Sequence, residues 1–186
     1  MSTFSRRKFL LSAGAGTALV AGCGNGVGSN GASTVDARVD ATRDYLFNRY
    51  PATVELSQKA LGILWMPLIT KAGFIFGGAY GKGALRIDNV SVDYYSATQA
   101  TFGLQIGAQQ YAHALFFMTP DALSNFRSSA GWSAGADIEY ALNDQGGNLN
   151  AETLTAMAPI IALVFGQAGL IVGATLKGTK YTRIIP

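Results

Sequence analysis

The sequence predicts a β-rich α+β domain: a curved, glycine-rich antiparallel sheet or partly closed barrel with a few short covering helices. Three observations predict it. The chain is 49% hydrophobic and only 13% charged, with 23 glycines among 186 residues. Each glycine inside a helix costs about 1 kcal/mol, so this composition disfavours a helical bundle. Apolar positions also alternate with small or polar ones. Val90, Val92 and Tyr94 alternate with Ser91, Asp93 and Tyr95, and Phe102, Leu104, Ile106 and Ala108 alternate with Gly103, Gln105, Gly107 and Gln109. A period of two marks strands. Finally, glycines recur at Gly73, Gly77, Gly78, Gly81 and Gly83. Glycines repeated along strands permit close backbone approach or strong bending, which suits a curved sheet.

The elements follow in chain order. Ser5-Arg6-Arg7-Lys8-Phe9-Leu10 leads an uncharged run from Phe9 to Gly22, and Val20-Ala21-Gly22-Cys23 closes it. The pattern resembles a bacterial twin-arginine export signal ending in a lipoprotein processing box. The 14-residue run is short of the ~20 residues a membrane-spanning helix needs. Three parts are therefore expected: a signal peptide at 1–22, a lipidated Cys23 with a flexible tether at 23–34, and one domain at 35–186. Residues 24–34, GNGVGSNGAST, are a Gly/Ser/Asn-rich coil by composition. From 35 to 50 a helix is predicted, with Val35, Val39, Leu46 and Tyr50 near one face. Pro51 breaks it, and a second short helix is expected at 52–60. Thr119-Pro120-Asp121 opens a third through Arg127, with Ala122, Leu123 and Phe126 inward. Strand returns at 131–142, and 146–148 is a loop. Residues 153–176 carry no charge, yet Pro159 and the tetrad Gly166-Gln167-Ala168-Gly169 interrupt them. Two buried strands joined by a hairpin explain this run better than a spanning helix.

Charge excludes one function class. The formal charge of +3 comes from Arg6, Arg7 and Lys8; residues 23–186 hold 11 Lys+Arg and 11 Asp+Glu. A neutral chain has no global footprint for nucleic acid, so no nucleic-acid partner is expected. Cys23 is the only cysteine and His113 the only histidine, which leaves no disulfide framework and no Cys- or His-rich metal site. His113 is expected on a strand or turn with its ring partly buried.

Other motifs are weaker. Gly131-Trp132-Ser133-Ala134-Gly135 matches the nucleophile-elbow pattern, but no histidine follows Ser133 to serve as base. The run 77–83, GGAYGKG, has the wrong spacing for a phosphate loop, and Gly83 stands where a magnesium-binding Ser or Thr belongs. Asn89-Val90-Ser91 is a glycosylation sequon by pattern only. Asp137 and Glu139 share a strand face, most simply a solvated one.

Lys71-Ala72-Gly73-Phe74, followed by Gly77-Gly78, Tyr80-Gly81 and Gly83, resembles the opening of the SYLF domain. Residues 103–109, GLQIGAQ, are similar to its central strand. Ala122-Leu123 with Phe126 is similar to its short helix. Residues 169–174, GLIVGA, with Leu176 and Gly178 are similar to its closing segment. The resemblance covers residues 56 to 183. The eukaryotic pattern has a Trp and a Pro after the first Gly-rich segment. Residues 86–97 lack both, and 90–95, VSVDYY, resembles the bacterial branch instead.

The resemblance implies a non-enzymatic lipid-binding domain without a cofactor. Eukaryotic SYLF proteins bind phosphoinositide membranes, and some bind actin. A bacterial envelope has no actin, so phospholipid is the partner that transfers, with anionic or phosphoinositide-like headgroups. The candidate contacts are Lys71, Lys82 and Arg86 beside the first Gly-rich segment and Lys177, Lys180 and Arg183 near the C-terminal end. Trp65 and Tyr181 are the candidate headgroup-level rings. Solvated rim charges are the simpler meaning of the six cations. An envelope scaffold whose only lipid contact is Cys23 is the alternative function, and a serine hydrolase using Ser133 a remote one. Gly24 follows Cys23 where an inner-membrane retention Asp would stand, so the expected location is the periplasmic face of the outer membrane.

Overall fold

In the computed structural model the described residues are 29–73, 76–102, 107–135, 138–140, 158–166, 169–170 and 176–186. Helix α1 spans Gly31–Arg49 and α2 spans Ala52–Lys59. Strands β1 (Gly62–Gly73), β2 (Phe76–Ile87), β3 (Val90–Phe102) and β4 (Gly107–Phe117) follow. Helix α3 is Pro120–Ser128. Strands β5 (Trp132–Ser133), β6 (Ile138–Tyr140), β7 (Ile160–Gly166), β8 (Gly169–Leu170) and β9 (Lys180–Ile184) complete the chain.

Local chemistry explains several boundaries. Asp88 and Asn89 take φ of 50° and 63°, and they join Ile87 to Val90 in a two-residue hairpin loop. Left-handed central residues match the strand twist there, and Asp and Asn tolerate that region. Thr119 caps α3 by accepting from Ala122 N at 3.3 Å, with Pro120 next. Helix α1 begins four residues before the expected start, so 31–34 are its first turn and not tether.

Seven antiparallel strands, in the order β5-β9-β3-β2-β1-β4-β7, form a curled half-barrel. Strand β6 adds to β7 in parallel, and β8 pairs antiparallel with β7. The curl is visible in one contact. His113 on β4 and Tyr181 on β9 meet at 2.8 Å although β1, β2 and β3 lie between them in the sheet. Leu64, Met66, Ile69, Leu85, Leu115 and Phe117 fill the concave side with Phe126 of α3. Trp65, Ala84, Ala114, Phe116, Ile161 and Leu163 lie on the convex side under α1 and α2. Strand β7 is apolar throughout because both its faces are covered, as its sequence predicts.

Two glycines permit the curl. A Cβ on Gly83 would collide with the Trp65 carbonyl, and one on Gly81 with the Leu68 carbonyl. Strand β1 shifts register between Trp65 and Leu68 at that point. Gly83→Ala is expected to destabilise the protein by about 1–3 kcal/mol through overpacking. Urea unfolding measures this, and an unchanged midpoint would contradict the close approach.

The expected strand at 102–109 divides between two strands. Phe102 ends β3 and Gly107 starts β4; residues 103–106 are outside the described ones. So are the signal, Cys23 and the tether to residue 28, Asp137, the 146–148 loop and most of the closing segment at 171–175. The side chain of Glu139 is outside them too. Among the described residues no helix is long and apolar enough to cross a membrane.

Candidate functional site

Helix α1 lies across the convex face and divides it. Val35, Val39 and Leu46 form its buried stripe. On one flank, Asp36 accepts from Ser91 Oγ at 2.7 Å and from Tyr94 OH at 2.8 Å. On the same flank Arg86 Nη1 donates to Asp40 Oδ1 at 2.6 Å. Arg86 holds the Asp40 carboxyl below the usual carboxylate range. These bonds fix α1 to β2 and β3.

The opposite flank overhangs open sheet. Thr34, Arg38, Ala41, Thr42 and Tyr45 recur at helical spacing along it. Beneath them run two clefts of about 710 and 670 Å³ that share Pro67 and Leu68 as floor. They form one trough, crossing β2, β1, β4 and β7 in turn. From Thr34 to Tyr45 it follows about 16 Å of helix axis.

The trough is charged at one end and uncharged at the other among the described residues. One end has Arg38, Lys82, Thr34 and Thr70, beside the start of α1. The other has Ala41, Thr42, Tyr45, Gln110, Ala112 and Phe165. Among the described residues Arg38 and Lys82 are its only charged lining residues, and no carboxylate lines it. Tyr80, Leu68 and Tyr45 are 51%, 37% and 37% exposed, and all three large apolar side chains border this trough. Arg38 makes no ion pair among the described residues. Tyr111 borders the trough by its backbone; its ring shares the concave side with Ile69 and His113, where burial raises its hydroxyl pKa. Such a groove can pair an anion at one end and cover hydrocarbon at the other.

The sequence candidates divide among several places. Lys82 lies in the trough. Lys180 is on the same face, since Tyr80 pairs with Thr98 and Thr98 with Lys180; directly opposed residues share a face. Arg86 is also on this face, but buried and bonded to Asp40. Lys71 shares the Ile69 side of β1, away from the trough. Lys177 lies in the turn before β9. Arg183 caps the edge near α3, 3.4 Å from Asp93 and over the Tyr95 ring. The two aromatic candidates are core residues. Trp65 is 1% exposed between Phe47 and Phe116, and Tyr181 is buried against His113. Neither ring reaches a surface as the sequence reading expected. Ser133 is exposed on β5 beside Lys180, whereas His113 is fully buried elsewhere.

Arg38, Leu68, Tyr80 and Tyr45 are the site residues missed in the sequence. Only a second stripe on α1, displaced from its buried one, hinted at Arg38 and Tyr45.

Residues 98–183 match the family model described as Ysc84, the Las17-binding protein actin regulator. The match supports the SYLF-domain family. This SYLF match begins within β3 and takes in β4, α3, β7 and β9, so Gln110, Tyr111 and Phe165 of the trough lie inside it. Arg38, Leu68 and Lys82 precede it. The SYLF family supports a lipid- or protein-interaction module and is not a known enzyme family. No curated protein matches the chain.

Proposed function

We propose that the chain is a non-enzymatic module that binds phospholipid with anionic headgroups through the convex-face trough. The observation that carries this reading is the combination in one groove of Arg38 and Lys82, exposed Leu68, Tyr80 and Tyr45, and no carboxylate among the described residues. Guanidinium and ammonium groups pair phosphate oxygens, and aromatic rings settle at headgroup level. Lys180 extends the cationic side of the same face.

The N-terminal motif supports an exported lipoprotein anchored through Cys23, on the periplasmic face of the outer membrane. Seven residues separate Cys23 from Gly31, the first residue of α1. They reach at most about 25 Å. The anchor would therefore hold the trough's cationic end, where α1 starts, close to the lipid surface. Lipid contact by the trough is then a second, weak attachment made effective by high local concentration.

The test is co-sedimentation of the Cys23→Ser chain with vesicles of neutral or partly anionic lipid. Binding is expected to require anionic lipid and to fall with added salt. Equal pelleting with both vesicle types at low salt contradicts the reading. A stoichiometric protein partner captured without any vesicle binding would favour a protein-interaction module instead.

A further inference from the structure

We propose that the trough takes up a single-chain anionic phospholipid as a monomer, with one phosphate head at Arg38 and Lys82 and one acyl chain running toward Phe165. This rests on the phospholipid reading and names the class of molecule that the groove selects. Four observations carry it.

The trough has a direction. Among the described residues its two charges are both cations at one end, and its far half carries none. An amphiphile with a single anionic head complements that gradient in one orientation only.

The trough has one lane. Its roof is one flank of α1, and its floor is the row of positions in which the Pro67–Leu68 segment meets Ala112 and Phe165. Successive strands are about 4.8 Å apart, so the three spacings from β2 to β7 span about 14 Å. That agrees with the helix-axis length, and both are close to half the ~30 Å hydrocarbon thickness of a bilayer. About 10 Å of that length lies between Arg38 and Tyr45, so the groove covers the part of a chain nearest its head.

The trough has an end. Tyr45 stacks on Phe165 with ring centroids 6.2 Å apart and 17° between planes. Its hydroxyl donates to the Gly166 carbonyl at 3.1 Å. This bar from α1 to β7 closes the uncharged half about 10 Å along the helix from Arg38. A chain longer than the lane has to leave the groove there.

The head end offers neutral polar groups as well. Thr34, Thr70 and Asn30 line it, and they suit the free hydroxyls that a single-chain glycerophospholipid exposes and a two-chain one lacks.

The experiment is isothermal titration of the full chain carrying Cys23→Ser with lysophosphatidylglycerol below its micelle concentration. Lysophosphatidylcholine and the free fatty acid of the same chain length are the other arms, and anionic vesicles run alongside. One lysophosphatidylglycerol per chain is expected, bound more tightly than either of the others. Arg38→Gln with Lys82→Gln should weaken it by about tenfold or more, as loss of charge-assisted bonds does. Tyr45→Ala should move the preference from lauroyl toward palmitoyl chains. Unchanged circular dichroism in each variant shows that the fold survives.

Vesicle binding without a monomer complex overturns the single-chain proposal and leaves the phospholipid reading standing. Failure of both removes the two together. Equal affinity for the fatty acid overturns the phosphate head. Equal affinity for lysophosphatidylcholine overturns the role of the cations. A palmitoyl preference in the unaltered chain overturns the closing role of Tyr45.

Discussion

Acidification from pH 6.5 to pH 3 is expected to remove up to about 5 kcal/mol of folding stability through His113 alone. The ring is fully buried inside the half-barrel, and burial pushes its pKa from 6.5 down to about 3. Between those values the unfolded chain binds a proton that the folded chain refuses. Stability therefore rises with pH across this window and is fully present above 6.5. Nε2 meets Tyr181 OH at 2.8 Å, while Nδ1 has no hydrogen-bond partner among the described residues. Burial is the one resolved cause of the shift, and no charged group among the described residues offsets it. A domain stable by roughly 5–15 kcal/mol would lose much of its margin. Asp40, whose pKa is lowered beneath 3.8 by Arg86, contributes stability that is lost only at lower pH. The loss expected from His113 therefore begins near pH 6.5, above the range in which Asp40 titrates. Urea unfolding at several pH values measures it, and His113→Gln should flatten the slope. A slope identical in the variant and the parent would refute this account of the core.

Truncation of Phe126 should be nearly as damaging. Helix α3 buries this one ring completely. It lies 4.7 Å from Tyr95, 4.8 Å from Phe117, 5.3 Å from Trp132 and 6.1 Å from Tyr181 between centroids. These residues come from β3, β4, β5 and β9, so the ring closes the open side of the half-barrel. Phe126→Ala is expected to destabilise by about 3–5 kcal/mol. Aromatic pairing adds to the transfer and cavity contributions. Denaturant unfolding supplies the number, and a loss under about 1 kcal/mol would mean that α3 does not seal the core.

Much of the fold could be read from residue patterns. The alternation at 90–95 located β3, the spacing of Val35, Val39 and Leu46 gave the buried face of α1, and Thr119-Pro120 marked the start of α3. The uncharged run near 160–170 was a pair of strands because Gly166 punctuates it. Long-range geometry was the part that periodicity could not supply. The register shift in β1 between Trp65 and Leu68 changes which residues face α1. Trp65 consequently turns into the core, and Leu68 emerges on the trough floor. Arg86 has the sequence setting of a rim cation, but α1 docks over it and Asp40 neutralises it. Tyr181 and His113 lie 68 residues apart, and only the curl of the sheet brings them together. Lys82 alone among the expected contacts reached the trough. Arg38, its partner there, looked like one of several charges on a solvated helix face.

The most direct test of the trough is a charge reversal read by equilibrium binding to partly anionic vesicles. The comparison is Arg38→Glu with Lys82→Glu against Lys71→Glu with Lys177→Glu, all in the Cys23→Ser chain. Each pair changes the net charge equally, so a nonspecific surface effect would weaken both alike. The trough predicts at least a tenfold loss for the first pair and a much smaller change for the second. Undiminished binding by the first pair, or its loss in the second pair alone, would contradict the assignment of lipid binding to this groove.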